Sequence, residues 1–334
     1  MTAFVRRESG LDRRSLVVVA ALALVTLTLV VLSVGTGDYE MSPGEVLATL
    51  GGQGTKAQYL VVMGRLPRVL VAILVGAALA LAGAVFQTIT RNPLGSPDII
   101  GFTTGSATGG IVTLLFLGSG PGLVSLGALA GGLLTALVVM ALCAPHGLLS
   151  SRLVLIGIAV SAVLVGVNSY LLVKANLEAA AQAVGWLVGD LSGRDWGYFV
   201  PLAVAVAVLA PVVFVNGRAL RMLEMGDDTA TGIGVDVHRV RLTLILAAVA
   251  LAAAATAATG PLPFIALAAP QLARRMTRLP GPNLAASAFV GAALVVAADY
   301  LGQRLLESSL LPAGVVAAAL GGAYLLWLLL RRRA

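Results

Sequence analysis

The sequence predicts an all-α, polytopic membrane protein with ten transmembrane helices, a single domain over residues 1–334. Three observations predict it. First, 59% of residues are hydrophobic and only 11% are charged, whereas a soluble domain carries about 25% charged residues. Second, the apolar residues fall into runs close to the roughly 20 that cross a bilayer. Third, there are 39 glycines and abundant alanine. Small residues let helix backbones approach closely where no hydrophobic effect drives association.

In chain order the expected spans are 16–34, 66–89, 99–117, 123–142, 153–173, 198–215, 242–258, 261–272, 284–301 and 311–330. The first follows a short tail, 1–15, whose Arg13-Arg14 resembles a twin-arginine signal. Its apolar run is longer than a signal core and lacks a small-residue cleavage site, so it reads as an uncleaved span. The eighth is brief and holds Pro261, Pro263 and Pro270. Between the first two spans, Ser42-Pro43-Gly44-Glu45 has the spacing of a capping box and marks a short outer helix. A second long outer segment covers 174–196, and the longest inner loop covers 216–241.

Loop arginines and lysines orient the chain. With both ends inside, inner segments hold sixteen of the 22 basic residues, and outer ones hold Lys56, Arg65, Arg68, Lys174, Arg194 and Arg304. That bias orients a multi-pass protein with cytoplasmic N- and C-termini. It also accounts for the net charge of +7. The basic residues are scattered through loops rather than gathered in a stripe, which argues against nucleic acid as a partner.

Several chemistries are excluded. Cys143 is the only cysteine, and His146 and His238 lie far apart without a metal-binding motif. No metal or cofactor is expected. The only lysines, Lys56 and Lys174, do not end a phosphate-binding loop, so the chain cannot hydrolyse ATP by that mechanism. An intramembrane enzyme lacks a catalytic constellation. An ion-coupled carrier would need several intramembrane acids, and Asp299 stands almost alone, with Arg304 as a local ion-pair partner.

Four segments carry candidate sites. Arg65-Leu66-Pro67-Arg68, at the outer mouth of the second span, reads either as interfacial anchoring or as a docking point for an acidic partner. Arg91-Asn92-Pro93-Leu94-Gly95-Ser96-Pro97 reads as a rigid turn. Thr103, Thr104, Ser106 and Thr108 give the third span a face too polar for lipid. That face either packs closely or lines a translocation path. The inner loop reads as two short helices joined at Gly226, with Asp227 or Asp228 as N-cap. Met222, Leu223, Met225 and Ile233 are expected to expose apolar side chains there, which points to a covering cytosolic partner.

These residues together resemble a known family. Arg65-x-Pro67-Arg68, Gly83-x-x-x-Gln87 with Arg91-Asn92-Pro93-Leu94-x-x-Pro97, Leu223-x-x-Gly226, Gly260-Pro261-x-x-Phe264-Ile265, Ala298-Asp299 and Leu311-Pro312-x-Gly314 resemble the permeases of type II ABC importers for iron–siderophore complexes and cobalamin. Leu223 to Asp228, with Leu171-Leu172-Val173-Lys174-Ala175, look most like permeases for ferric enterobactin and similar catecholates. The resemblance implies a permease subunit without its own ATPase site, paired with a second permease subunit, here a different chain. It also implies two ABC ATPase subunits below and an external siderophore-binding protein above. On that reading Arg65, Arg68 and Arg304 dock the binding protein. Leu223, Gly226, Asp227, Asp228, Gly232 and Gly234 form the coupling segment, Ser150 and Ser151 belong to the inner gate, and the Thr103–Thr108 face lines the path. A cobalamin or haem importer is the alternative within the family. Two positions depart from its pattern: Gln271 follows Pro270 where many members carry His, and Gly281-Pro282-Asn283 replaces a common acidic–basic pair.

Overall fold

The computed structural model describes residues 13–37, 39–118, 120–143, 150–305 and 311–331. Fourteen helices and no strand occur among them. They are α1 Arg13–Gly35, α2 Pro43–Leu50, α3 Lys56–Ile89, α4 Phe102–Phe116, α5 Pro121–Cys143, α6 Ser150–Lys174 and α7 Leu177–Leu187. The second half holds α8 Trp196–Val215, α9 Gly217–Glu224, α10 Asp227–Gly232, α11 Val237–Thr259, α12 Ile265–Thr277, α13 Leu284–Gly302 and α14 Ala313–Arg331. Seven of them (α1, α3, α5, α6, α8, α11 and α13) are long and apolar enough to cross a membrane. α4 and the Ala313–Trp327 stretch of α14 are apolar but shorter. α12, at the eighth expected span, has 13 residues and contains Pro270.

The bundle is built around α3. Its 34 residues make a rod of about 51 Å at 1.5 Å per residue, against a hydrocarbon core of about 30 Å. α13, α11, α12, α8 and α1 pack against it, and it buries Phe86, Leu79 and Leu81 almost completely. The helix begins ten residues earlier than its apolar run. Thr55 and Gln58 form a reciprocal capping box that starts it at Lys56. Arg65 and Arg68 therefore lie within a continuous helix, not in a mouth loop. The equivalent box at Ser42 and Glu45 starts α2 as expected, and its hydrogen bonds hold the Glu45 carboxyl below its ordinary pKa.

Small residues set the close crossing of α4 and α5. A Cβ added at Gly109 of α4 would strike the Gly127 carbonyl of α5, and one at Gly131 would strike the Gly105 carbonyl. The polar face of α4 thus packs against α5 and shows why that span tolerates so few large side chains. Outside the spans, α7 has Asn176 as N-cap and lays the Trp186 ring against Gly110.

Candidate docking and coupling sites

At the outer end, the three expected docking arginines differ. Arg68 turns into the bundle: its Nε and one terminal nitrogen donate to the Asp299 carboxylate at 2.7–3.2 Å. Asp299 is only 3% exposed and also accepts from Gln303 Nε2 at 2.8 Å. The expected Asp299–Arg304 pair does not form, because α13 turns Asp299 towards α3 while Arg304 lies past its C-terminus. Arg304 instead donates to the Tyr300 carbonyl and stacks 3.7 Å from its ring centroid. A cation over an aromatic face keeps its edge available to solvent. Arg65 donates from one nitrogen to the Val34 and Tyr39 carbonyls at 2.9 and 3.0 Å, which ties the end of α1 and the segment before α2 to α3.

The inner loop is ordered as two short helices, α9 and α10, hinged at Gly226. That residue has φ +113° and ψ 153°, a region essentially closed to side chains. No side chain caps α10: Gly226 takes the N-cap position, whereas Asp227 or Asp228 was expected there. Both aspartates fall one step further, in the first turn, where the helix dipole favours negative charge. Leu223 is buried, contrary to expectation, and with Leu220 it fixes α9 to the bundle. Met222 is half-buried. Met225 and Ile233, 71% and 57% exposed, carry the outward apolar surface. Asp228, Gly232 and Gly234 are exposed beside them.

Ion pairs lash this loop to the ends of three bundle helices. Asp227 accepts from buried Arg241 at the foot of α11 at 2.7 Å, and Arg91, after α3, approaches the same oxygen at 3.9 Å. Glu224 faces Arg274 of α12 at 3.6 Å. The Arg91 turn is in this way more than a connector. Gln271 donates to Gln87 Oε1 at 2.7 Å and to the Pro93 carbonyl at 3.3 Å. At the first departure from the family pattern, the side chain thus joins α12 to α3. At the second, Asn283 adopts φ +43° and starts α13.

The α4 face divides. Ser106 and Thr103 are buried within this chain. Thr104 and Thr108 are half-buried. Thr104 shares a hydrogen bond with Ser161 of α6 at 3.1 Å, and Thr108 donates back to the Thr104 carbonyl. The side chains of Ser150 and Ser151, expected at an inner gate, lie outside the described residues.

One group escaped the sequence reading. Asp98, in the turn before α4, interacts with the Thr103 hydroxyl and the Phe264 N–H, while burial pushes its carboxyl up to about 6. Phe264 precedes α12 at φ +68° and offers no side-chain cap. A carboxylate from another segment therefore serves the end of this short helix.

A profile of the FecCD transport family matches residues 24–331. The chain belongs to that family. The ferric enterobactin transport system permease protein FepG of Escherichia coli (strain K12) is 42% identical over 321 residues, covering 96% of this chain and 97% of that protein. The vitamin B12 import system permease protein BtuC of Salmonella newport (strain SL254) is 32% identical over 340 residues, 99% of each chain. Among solved structures, an inward-facing metal-chelate-type ABC transporter superposes with a TM-score of 0.82 at 26% identity, over 94% of this chain and 99% of that one. This FecCD member is a type II, metal-chelate-type ABC importer permease, and ATP is hydrolysed by a separate subunit.

Proposed function

We propose that this permease imports a ferric siderophore of the catecholate, enterobactin-like class across the plasma (inner) membrane, with both chain ends in the cytoplasm. The observation that carries the cargo is the 42% identity to the ferric enterobactin permease along 96% of the chain. Relatives named for citrate, hydroxamate and vitamin B12 match at lower identity.

A second permease subunit, a different chain, completes the path. Two ABC ATPases seat on the exposed Met225 and Ile233 surface of α9 and α10, supported by Asp228, Gly232 and Gly234. Their closure moves this pair, and the Asp227–Arg241 and Glu224–Arg274 contacts carry the motion to α11 and α12. Outside, a siderophore-binding protein docks acidic side chains on Arg304 and on Arg65. Arg68, with its fork occupied by Asp299, supports the surface from beneath.

The test is radioiron uptake into proteoliposomes holding the chain with its co-expressed subunits and binding protein. ATP-dependent uptake of a ferric catecholate, exceeding that of a ferric hydroxamate or cobalamin, is expected. Preferential cobalamin uptake, or uptake driven by an ion gradient without ATP, overturns the reading. In the same system Arg304→Glu is expected to weaken binding-protein affinity about tenfold, the size of one to two lost kilocalories at a charged interface. Unchanged affinity removes Arg304 from the docking surface.

A further inference from the structure

Where the foot of α1 meets the end of α12, a groove of about 610 Å³ is lined by Arg13, Arg14, Val17, Val18 and Met276. Two guanidiniums stand at one end, and apolar side chains form the rest of the wall. Arg14 Nε donates to the Met276 carbonyl at 3.0 Å, which joins the two helices. Among the described residues, no carboxylate lines the groove.

Arg13 and Arg14 open the described part of α1. The last turn of neighbouring α12 adds Arg274 and Arg275. Arg274 is paired with Glu224, and Arg275 stacks 4.8 Å over Trp327. Arg13 and the remaining donors of Arg14 thus concentrate positive charge at the membrane interface, directly above an apolar wall. Val17 is 61% exposed, and that wall continues along α1 through exposed Leu24.

We propose that this groove binds an anionic phospholipid, its phosphodiester on Arg13 and Arg14 and one acyl chain along Val17, Val18 and Met276. Basic pockets between spans at a membrane surface favour such headgroups. A soluble anion would use the arginines but leave the apolar wall bare, and a neutral lipid would leave the charge unmatched. The chain's own residues 1–12 hold Arg6 and Arg7 against Glu8 and Asp12, so their side chains carry no net charge to match two further arginines. The inference rests on the proposed topology only for which leaflet supplies the lipid.

The experiment uses the full-length chain with its co-purifying subunits, in nanodiscs of phosphatidylcholine with a minor fraction of phosphatidylglycerol. Lipid retained after detergent exchange is counted by native mass spectrometry, a readout blind to leaflet and independent of transport. Retention of phosphatidylglycerol over phosphatidylcholine is expected, and Arg13→Gln with Arg14→Gln should lower its affinity by on the order of tenfold or more. Equal retention of the two lipids, or an unchanged double variant, overturns the site. Should that variant fail to fold, photoreactive phosphatidylglycerol on the unmutated chain decides. Labelling near Val17 or Met276 supports the site, and labelling no stronger than with photoreactive phosphatidylcholine overturns it. Tighter phosphatidylglycerol binding after deletion of residues 1–11 would identify that segment as the occupant and overturn it as well.

Discussion

The outer and inner ends of the bundle both concentrate charge, but they fasten it differently. Outside, Arg68 and Asp299 join two long spans through a buried, bidentate pair at 2.7–3.2 Å. Arg65 is held by two backbone carbonyls. Inside, the charges bridge short helices to spans, and two of the three contacts are longer, at 3.6 and 3.9 Å. Partly exposed pairs at such distances contribute about 0–1 kcal/mol each. The outer end is thus a fixed platform, and the inner end is a linkage that can shift while remaining attached.

The largest effect should come from breaking the platform. Asp299→Ala leaves Arg68 partly buried without its partner, a loss of about 3–5 kcal/mol for a fully buried pair. With Arg68 20% exposed, the lower end applies. The expected result is a drop in the chain's thermal midpoint in detergent, partly restored by Arg68→Met in the same chain. An unchanged midpoint would show that the pair does not hold the outer end. A smaller change, on the inner side, is Gly226→Ala. A side chain at φ +113° costs about 1–3 kcal/mol. Because the hinge is local, assembly yield should hold while substrate-stimulated ATP hydrolysis falls several-fold. A fall in yield with normal stimulation would make Gly226 a folding residue only.

The smallest effect is expected at Asp98, in the turn before α4. Its folded carboxyl pKa is raised to about 6 from 3.8, so ionisation opposes folding. The penalty is absent below about pH 4, grows between 4 and 6, and is complete above 6. Asp98→Asn keeps an acceptor for the Phe264 N–H and removes the charge. It should raise the unfolding midpoint at pH 7.5 by a few degrees, as about 1 kcal/mol does in a chain of this size, with almost no gain near pH 3.5. An equal gain at both pH values would rule out ionisation as the cause.

Much of the architecture was legible because lipid leaves few choices. The expected segments fall on helices throughout, from 16–34 within α1 to 311–330 overlapping α14. Seven meet the length and apolarity of a span. The outer ten residues of α3 were missed although Thr55 and Gln58 have the same capping-box spacing as Ser42 and Glu45, because Gly64 and Arg65 cut the apolar run at Tyr59–Met63 from the main span. The partner of Asp299 was missed for a different reason. Arg304 is near in sequence, whereas Arg68 is 231 residues away, and only packing of α3 on α13 brings it close. Leu223 reads as an exposed apolar residue in a loop, yet α9 is amphipathic and turns it inward. Ser106 and Thr103 read equally as packing or as path lining, because a small hydroxyl-bearing side chain suits both.

The short helix α12 has a consequence for biogenesis. Its 13 residues include Pro270, Arg274 and Arg275, too short and too polar to partition into lipid as an independent segment. Its N-terminal end is served by Asp98 and its flank by Gln87, both synthesised more than 160 residues earlier. The segment therefore enters the bilayer against a surface already in place, and the early half of the chain acts as its insertion template.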